Sequence, residues 1–433
     1  VSNFYGDPQR PANGQPQQPG PQHSAPYGGP QQAGQYQVGP EQRHPQPAPP
    51  QGPAHLQTSP AGSPTAAKSR GPRRKRRPMV LPVAAIAIGL FTTFFFLLAV
   101  GLSANVEGTD LGFVAATAVL LVALLILWWL DRWEPEPVVL LVAAFLWGSG
   151  IATSLSLPFT LMTPFLAPTP EAGIWLQAPV VEEFTKGLFI LLLVAGKRGR
   201  FEFNALTDGV IYGVLVGAGF SFLEDQLYIA STTTFDQSAE LASIRIGGSA
   251  LGHGLYTMCF SLGIWFAMNR RSVLARIGCG VGGYAVAVLL HGIHNGAAVA
   301  AGTSDDMTLF YLVKAFTFVV LVALAVIAWF ARRHEGRLIA AELPRMAEVG
   351  LISAQEVSWM SSLKGRRDHL KSLPKPARAD AKSLIEAVTE LAFLEHRIAR
   401  IGGPVAPVLQ QQRGELGSVI QGTTAALTAA GLR

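Results

Sequence analysis

Residues 73–104 read RRKRRPMVLPVAAIAIGLFTTFFFLLAVGLSA: a run of Arg and Lys, a proline, then a long stretch without a single charge. Crossing the hydrocarbon core of a bilayer takes about 20 mostly apolar residues of helix. Basic residues directly before such a stretch stay on the cytoplasmic side. The pattern repeats outward from this junction. After 79–104, comparable runs occupy 111–130, 138–160, 173–195, 205–230, 246–268, 276–300 and 309–331. The predicted fold class is therefore all-α: a polytopic transmembrane helix bundle of about eight spans. Composition agrees. Charged residues make up 14% of the 433 residues and hydrophobic ones 49%, against about 25% charged in an ordinary soluble domain. A soluble globular enzyme is excluded. So are a disulfide scaffold and a cysteine-built zinc site, because Cys259 and Cys279 both sit in apolar runs and read as small buried residues.

Two tails flank the spans. Residues 1–78 are rich in Pro, Gln and Gly and end in the cluster Lys68, Arg70, Arg73, Arg74, Lys75, Arg76 and Arg77. Such a segment cannot bury enough apolar surface to offset its ordering entropy, so a disordered tail is expected. Its basic end, directly before a span, reads as a membrane anchor rather than a nucleic-acid patch, and no nucleic-acid partner is expected. Residues 332–433 return to a soluble-like composition. Leu384, Ile385, Val388, Leu391 and Leu394 recur at helical spacing, which predicts a mainly helical tail.

Loop charge sets the expected orientation in a cell membrane. Loops 105–110, 161–172 and 301–306 carry no Lys or Arg, whereas Lys197, Arg198 and Arg200, then Arg270, Arg271 and Arg276, then Arg332, Arg333 and Arg337 fall on the alternate side. Both tails are thus expected in the cytoplasm, and the loop Asp131–Pro137 with them.

Ionisable groups inside spans are costly and usually face a bundle interior. They cluster here. The fourth span holds Glu182, Glu183 and Lys186; the fifth Glu224 and Asp225; the sixth His253; the seventh His291, His294 and Asn295. Glu182 and Lys186 share a helix face, as do His291 and Asn295. Counted from the outer ends of their spans, Glu182, Glu224, His253 and His291 all lie roughly 10–15 Å deep at 1.5 Å per residue. Each has a plainer reading. The carboxylates could form a structural pair with Lys186, Glu224 could pair with Arg245, and Asn295 alone could be packing glue. Asp225 and His294 are read as structural, and Lys314 as snorkelling. Four polar groups at one depth are better explained as one site.

Carboxylates, two imidazoles and an amide at a buried site suit water activation. A buried Glu can take a proton from water. Histidines can ligate a metal or, with Asn, donate to a developing oxyanion. That is peptide hydrolysis within a membrane. Other signatures of such chemistry fail: His334-Glu335 is not followed by a second His at the required spacing, and Gly219-Phe220-Ser221-Phe222-Leu223 lacks the second glycine of a nucleophile elbow.

These residues resemble the PrsW family of bacterial intramembrane proteases, which belongs with the CAAX prenyl endopeptidase and bacteriocin-processing superfamily. The first family motif, E-E-x-x-K, stands as Glu182-Glu183-Phe184-Thr185-Lys186. The second stands as Gly219 to Tyr228 around Glu224, with Asp225 where the family usually has Asn. The third stands as His253-Gly254-Leu255-Tyr256-Thr257, and the fourth, H-x-x-x-N, as His291-Gly292-Ile293-His294-Asn295. The stretch Asp131-Arg132-Trp133-Glu134-Pro135-Glu136-Pro137 is similar to the family's D-R-Y-E-P-E-P. The resemblance covers roughly 79–331. It implies that Glu182 activates water and Glu183 supports it, that His253 and His291 bind a metal or polarise water and carbonyl, and that Asn295 helps hold the oxyanion. Glu182, His253 and His291 would be the ligands of a Zn²⁺ ion, and a metal-free glutamate mechanism uses the same groups. It also implies a membrane-anchored protein substrate, such as an anti-sigma factor. The alternative from another class is a proton- or ion-coupled transporter, since buried Glu, Lys and His also form proton relays. Transporters often carry internal repeats, and this chain shows none.

Overall fold

The structure is a computed structural model, which describes residues 80–102, 106–196, 199–247, 251–304, 306–401 and 405–433. The expected disordered tail with its basic cluster lies outside the described residues, as do Lys197 and Arg198. Among the described residues every regular element is helical. The long helices are α1 (Val80–Gly101), α2 (Val106–Leu130), α3 (Val138–Met162), α4 (Ala178–Ala195), α5 (Leu206–Ala230), α6 (Gly252–Met268), α7 (Val273–Ser304), α8 (Thr308–Glu348), α9 (Lys375–Ile401) and α10 (Pro407–Ala429). The all-α bundle read from the apolar runs is what the chain forms.

Six of these helices, α1, α2, α3, α5, α7 and α8, are long and apolar enough to cross a membrane. The two remaining apolar runs are α4, which carries Glu182, Glu183 and Lys186, and α6, which has 17 residues. Length and composition mark those two least, yet they carry Glu182, Glu183, Lys186 and His253 of the polar cluster. Between helices in lipid there is little hydrophobic drive, so close packing and interhelical hydrogen bonds hold the bundle. α5 is the helix most enclosed by its neighbours, while α1 exposes large apolar side chains such as Phe91 and Phe94. The bundle core gathers Ala143, Ile190, Tyr212, Val216 and Leu255. The approach of α5 to α6 depends on small residues: a Cβ at Gly217 would lie 2.3 Å from the His253 carbonyl oxygen. Only glycine lets the two backbones meet there, at the level of the polar cluster. α3 widens into a π turn at Trp147–Ala152, and from it the Trp147 indole donates to the Thr185 carbonyl of α4 at 3.0 Å.

α8 runs unbroken for 41 residues, through the change from apolar to soluble-like composition at residue 331. Arg332 and Arg333 change the polarity but do not break a helix. Their guanidinium groups lie over Trp129 and Trp329 at 4.2 and 3.9 Å. Beyond them a second core forms in which α8 contributes Leu338, Ile339 and Leu343, and α9 and α10 contribute Val388, Leu391 and Ile420. In water, burial of such side chains is worth about 1.5–3 kcal/mol each. The helical spacing read at 384–394 is this buried face.

The loop 131–137 sits where the two cores meet. The Asp131 carboxylate accepts the Glu136 backbone N–H at 3.0 Å, and Tyr212 donates to Glu136 at 2.6 Å. Asn204 donates to Glu134 at 3.2 Å. Arg366 donates to the Trp133 carbonyl at 3.2 Å and lies over its ring. Burial pushes the Asp131 carboxyl up to about 7, against the opposing effect of the Glu136 N–H. It also holds Glu134 and Glu136 well above the ordinary carboxylate range.

Candidate active site

α4, α5, α6 and α7 each bring one motif to a common point. The arrangement begins with periodicity on α4. Glu182, Glu183 and Lys186 lie within one helical turn, so both carboxylates can reach the lysine. Lys186 is fully buried, and its ammonium lies 2.8 Å from Glu183 Oε1, 3.4 Å from Glu182 Oε2 and 3.0 Å from His253 Nδ1. It also lies 3.9 Å from the centre of the Phe220 ring, a favourable place for a desolvated cation.

The two glutamates differ in environment. Glu183 is fully buried and all its partners are protein donors: Lys186, the Thr257 hydroxyl at 2.9 Å, and His291 Nδ1 at 3.1 Å. Glu182 retains 13% of its side-chain exposure and faces His291 Nε2 across 3.9 Å. Lys186 therefore neutralises Glu183 first and Glu182 second.

The hydrogen bonds fix the imidazole tautomers. A lysine has donors only, so His253 Nδ1 accepts from Lys186, and His253 Nε2–H donates to Glu224 Oε2 at 3.0 Å. His291 donates from Nδ1 to Glu183, which leaves its Nε2 lone pair facing Glu182. The His253 and His291 rings meet edge to face at 4.9 Å, and Tyr256 stacks on His291 at 5.0 Å.

Glu224 is held from a further direction. Arg245, in the turn Ser243–Gly247, donates from Nη2 to Glu224 at 2.7 Å and from Nε to Asp225 at 2.9 Å. Asp225 also accepts from Ser221 at 3.0 Å. The Asp found where the family usually has Asn is thus matched by an arginine.

Glu182, Glu183, Lys186, Glu224, His253 and His291 come together as the sequence spacing predicts. Asn295 is placed apart. It is half-buried, and its amide donates to the Ile174 carbonyl at 3.0 Å, joining α7 to the segment before α4. Lys314 reaches the Ile244 carbonyl and lies over Phe310. Thr257 and Arg245 complete the network and went unassigned in the motifs. Thr257 lies four residues after His253 and so shares its helix face, a readable signal. Arg245 is a single basic residue in a polar loop, and nothing in its spacing points to Asp225.

Glu182, His253 and His291 each offer one ligand atom, and these atoms all lie within 4.8 Å of one another. Two imidazoles and a carboxylate fit a divalent metal of the zinc type. Glu183 behind His291 Nδ1 is the outer carboxylate that typically orients a metal-bound imidazole. His253 fits less freely, since Lys186 and Glu224 hold its two ring nitrogens.

Comparison with known proteins places this geometry. No solved structure matches the chain. The Protease PrsW of Geobacillus kaustophilus (strain HTA426) is 26% identical over 166 residues, 38% of this chain and 69% of that protein. Residues 136–328 match the sequence model described as PrsW family intramembrane metalloprotease, and that span contains every side chain of the cluster. With its motifs gathered at one buried point, the segment 136–328 is similar to the intramembrane metalloproteases of the PrsW family.

Proposed function

We propose that the chain hydrolyses a peptide bond of a single-span, membrane-anchored protein, with Glu182 as the general base. The observation that carries this is the inequality of the two glutamates. Glu183 has its oxygens occupied by Lys186, His291 and Thr257, whereas Glu182 is partly exposed and faces the free Nε2 of His291. A water held between Glu182 and His291 loses a proton to Glu182 as its oxygen attacks the scissile carbonyl carbon. The same proton then passes to the departing amine nitrogen as the C–N bond breaks, and Glu182 returns to its carboxylate. Lys186 supplies positive charge near the developing negative charge, and His253 helps hold its ammonium in place. Asn295 joins Lys186 as an oxyanion donor only by exchanging its bond to Ile174.

Where a metal is bound, Glu182, His253 and His291 would hold Zn²⁺, which lowers the pKa of a bound water and polarises a carbonyl. Glu183 would orient His291 in either mechanism. Membrane-anchored regulators such as anti-sigma factors are the substrate class that the family likeness favours. The basic loops support a site nearer the outer face with both tails in the cytoplasm; reporters at Thr109 or Ser304 found on the cytoplasmic side would overturn that orientation.

Glu182→Gln keeps the shape and removes the proton acceptor. Cleavage per folded molecule should fall about 10²–10⁴-fold, and quantitative membrane proteomics of cells carrying the variant should show an accumulated single-span protein. Near-wild-type turnover in Glu182→Gln would end the assignment.

A further inference from the structure

Tyr256 lies one helical turn beyond His253 on α6 and is 1% exposed. Its ring stacks on His291 with planes 16° apart, and meets the ring of His253 at 5.9 Å. Its hydroxyl is buried and has no hydrogen-bond partner among the described residues. Nearly all buried polar groups in folded proteins find a partner. A phenylalanine would stack on His291 equally well and would spare the desolvation of the hydroxyl. Packing therefore accounts for the ring and leaves the O–H unexplained.

Side chains on a helix lean toward its N-terminus, and the hydroxyl accordingly lies beside Gly252, where an added Cβ would stand 3.2 Å from Oη. A methyl at 252 would press on the hydroxyl. The unpartnered donor is carried on the ring that stacks on His291, whose Nε2 faces Glu182. A peptide carbonyl is the acceptor that a hydrolase of membrane proteins brings to such a place.

We propose that the Tyr256 hydroxyl is a hydrogen-bond donor to the substrate, taken up by the carbonyl of the scissile peptide and retained as that oxygen gains negative charge. This rests on the proteolytic reading above. It gives the site a neutral oxyanion donor beside His291, while the Asn295 amide stays engaged with Ile174.

The test compares wild type, Glu182→Gln, Tyr256→Phe and Gly252→Ala in cells at equal protein levels. The probe is whichever single-span membrane protein accumulates in Glu182→Gln cells, and its turnover is followed by pulse-chase. The thermal midpoint of each purified protein in detergent is measured alongside. Tyr256→Phe should slow turnover per folded molecule about tenfold or more, toward the 10²–10³-fold that loss of an oxyanion donor can reach. Its midpoint should equal or exceed that of wild type, because an unpartnered buried hydroxyl is removed. Gly252→Ala, which crowds the hydroxyl and keeps the phenol, should also slow turnover. Wild-type turnover in Tyr256→Phe overturns the proposal. So does slowed turnover with a lowered midpoint, which would mean that the hydroxyl is structural. If Glu182→Gln cells accumulate nothing, the proteolytic reading fails first, and the role of Tyr256 falls with it.

Discussion

Replacing Lys186 with methionine keeps the length and most of the apolar stem of the side chain but removes the ammonium shared by three partners. Those partners are Glu183 at 2.8 Å, His253 at 3.0 Å and Glu182 at 3.4 Å, and the side chains of Lys186 and Glu183 are both fully buried. The variant strands the Glu183 carboxylate in a low-dielectric interior, where breaking a buried ion pair by removing one member costs about 3–5 kcal/mol. Total stabilities are commonly about 5–15 kcal/mol, so Lys186→Met should yield much less folded protein. Neutralising the second member should relieve the defect. Glu183→Gln/Lys186→Met no longer strands a charge at position 183, and a glutamine can still accept from Thr257. The double variant should therefore be more stable than Lys186→Met alone, with a coupling energy of at least about 1 kcal/mol. Unfolding in mixed micelles, followed by tryptophan fluorescence for all four members of the cycle, measures this directly. Lys186→Met with wild-type stability, or effects that add within about 0.5 kcal/mol, would refute the view that Lys186 is the obligatory counter-charge of Glu183.

Arg245→Gln should lower both stability and turnover, because it leaves Glu224 and Asp225 as adjacent carboxylates with their shared cation gone; adding Asp225→Asn should restore part of the loss, and a double variant no better than Arg245→Gln would count against the pairing. The Asp131 carboxyl titrates near 3.8 unfolded and about 7 folded, so between these values the native state holds more protons than the unfolded one. Stability should then decline as pH rises through that window and level off above it, and Asp131→Asn should flatten the profile measured by thermal midpoint. If Glu182, His253 and His291 bind zinc, purified protein should carry about one equivalent, lost in both His253→Ala and His291→Ala when metal is assayed by mass spectrometry; an active preparation with no stoichiometric metal would favour the glutamate mechanism.

The membrane part of the fold was legible because its signals are local. An apolar run shows itself without any knowledge of what it packs against, and α1, α2, α5 and α7 fall where such runs stand. The cluster was legible because polar residues in those runs are expensive enough to be informative. What stayed hidden depends on the third dimension. Glu182 and Glu183 are neighbours of identical chemistry, and only the inward side of α4 decides which one Thr257 and His291 enclose. Arg245 reaches Asp225 through a turn whose path no periodicity fixes. Asn295 shares a helix face with His291, yet the segment before α4 lies close enough to take its amide. The continuation of α8 past residue 331 was obscured because the composition changes there while helix-forming residues continue.

Among the described residues, ion pairs of this network join four carboxylates, Glu182, Glu183, Glu224 and Asp225, to two cations, Lys186 and Arg245. With both imidazoles neutral, the fully ionised set carries a surplus of two negative charges. An interior shielded from water does not tolerate such a surplus without compensation. Protons, or a divalent ion were one bound, would offset that surplus. Were a metal bound at this point, its uptake would be tied to proton release, and proton count and metal occupancy would be two readings of one balance.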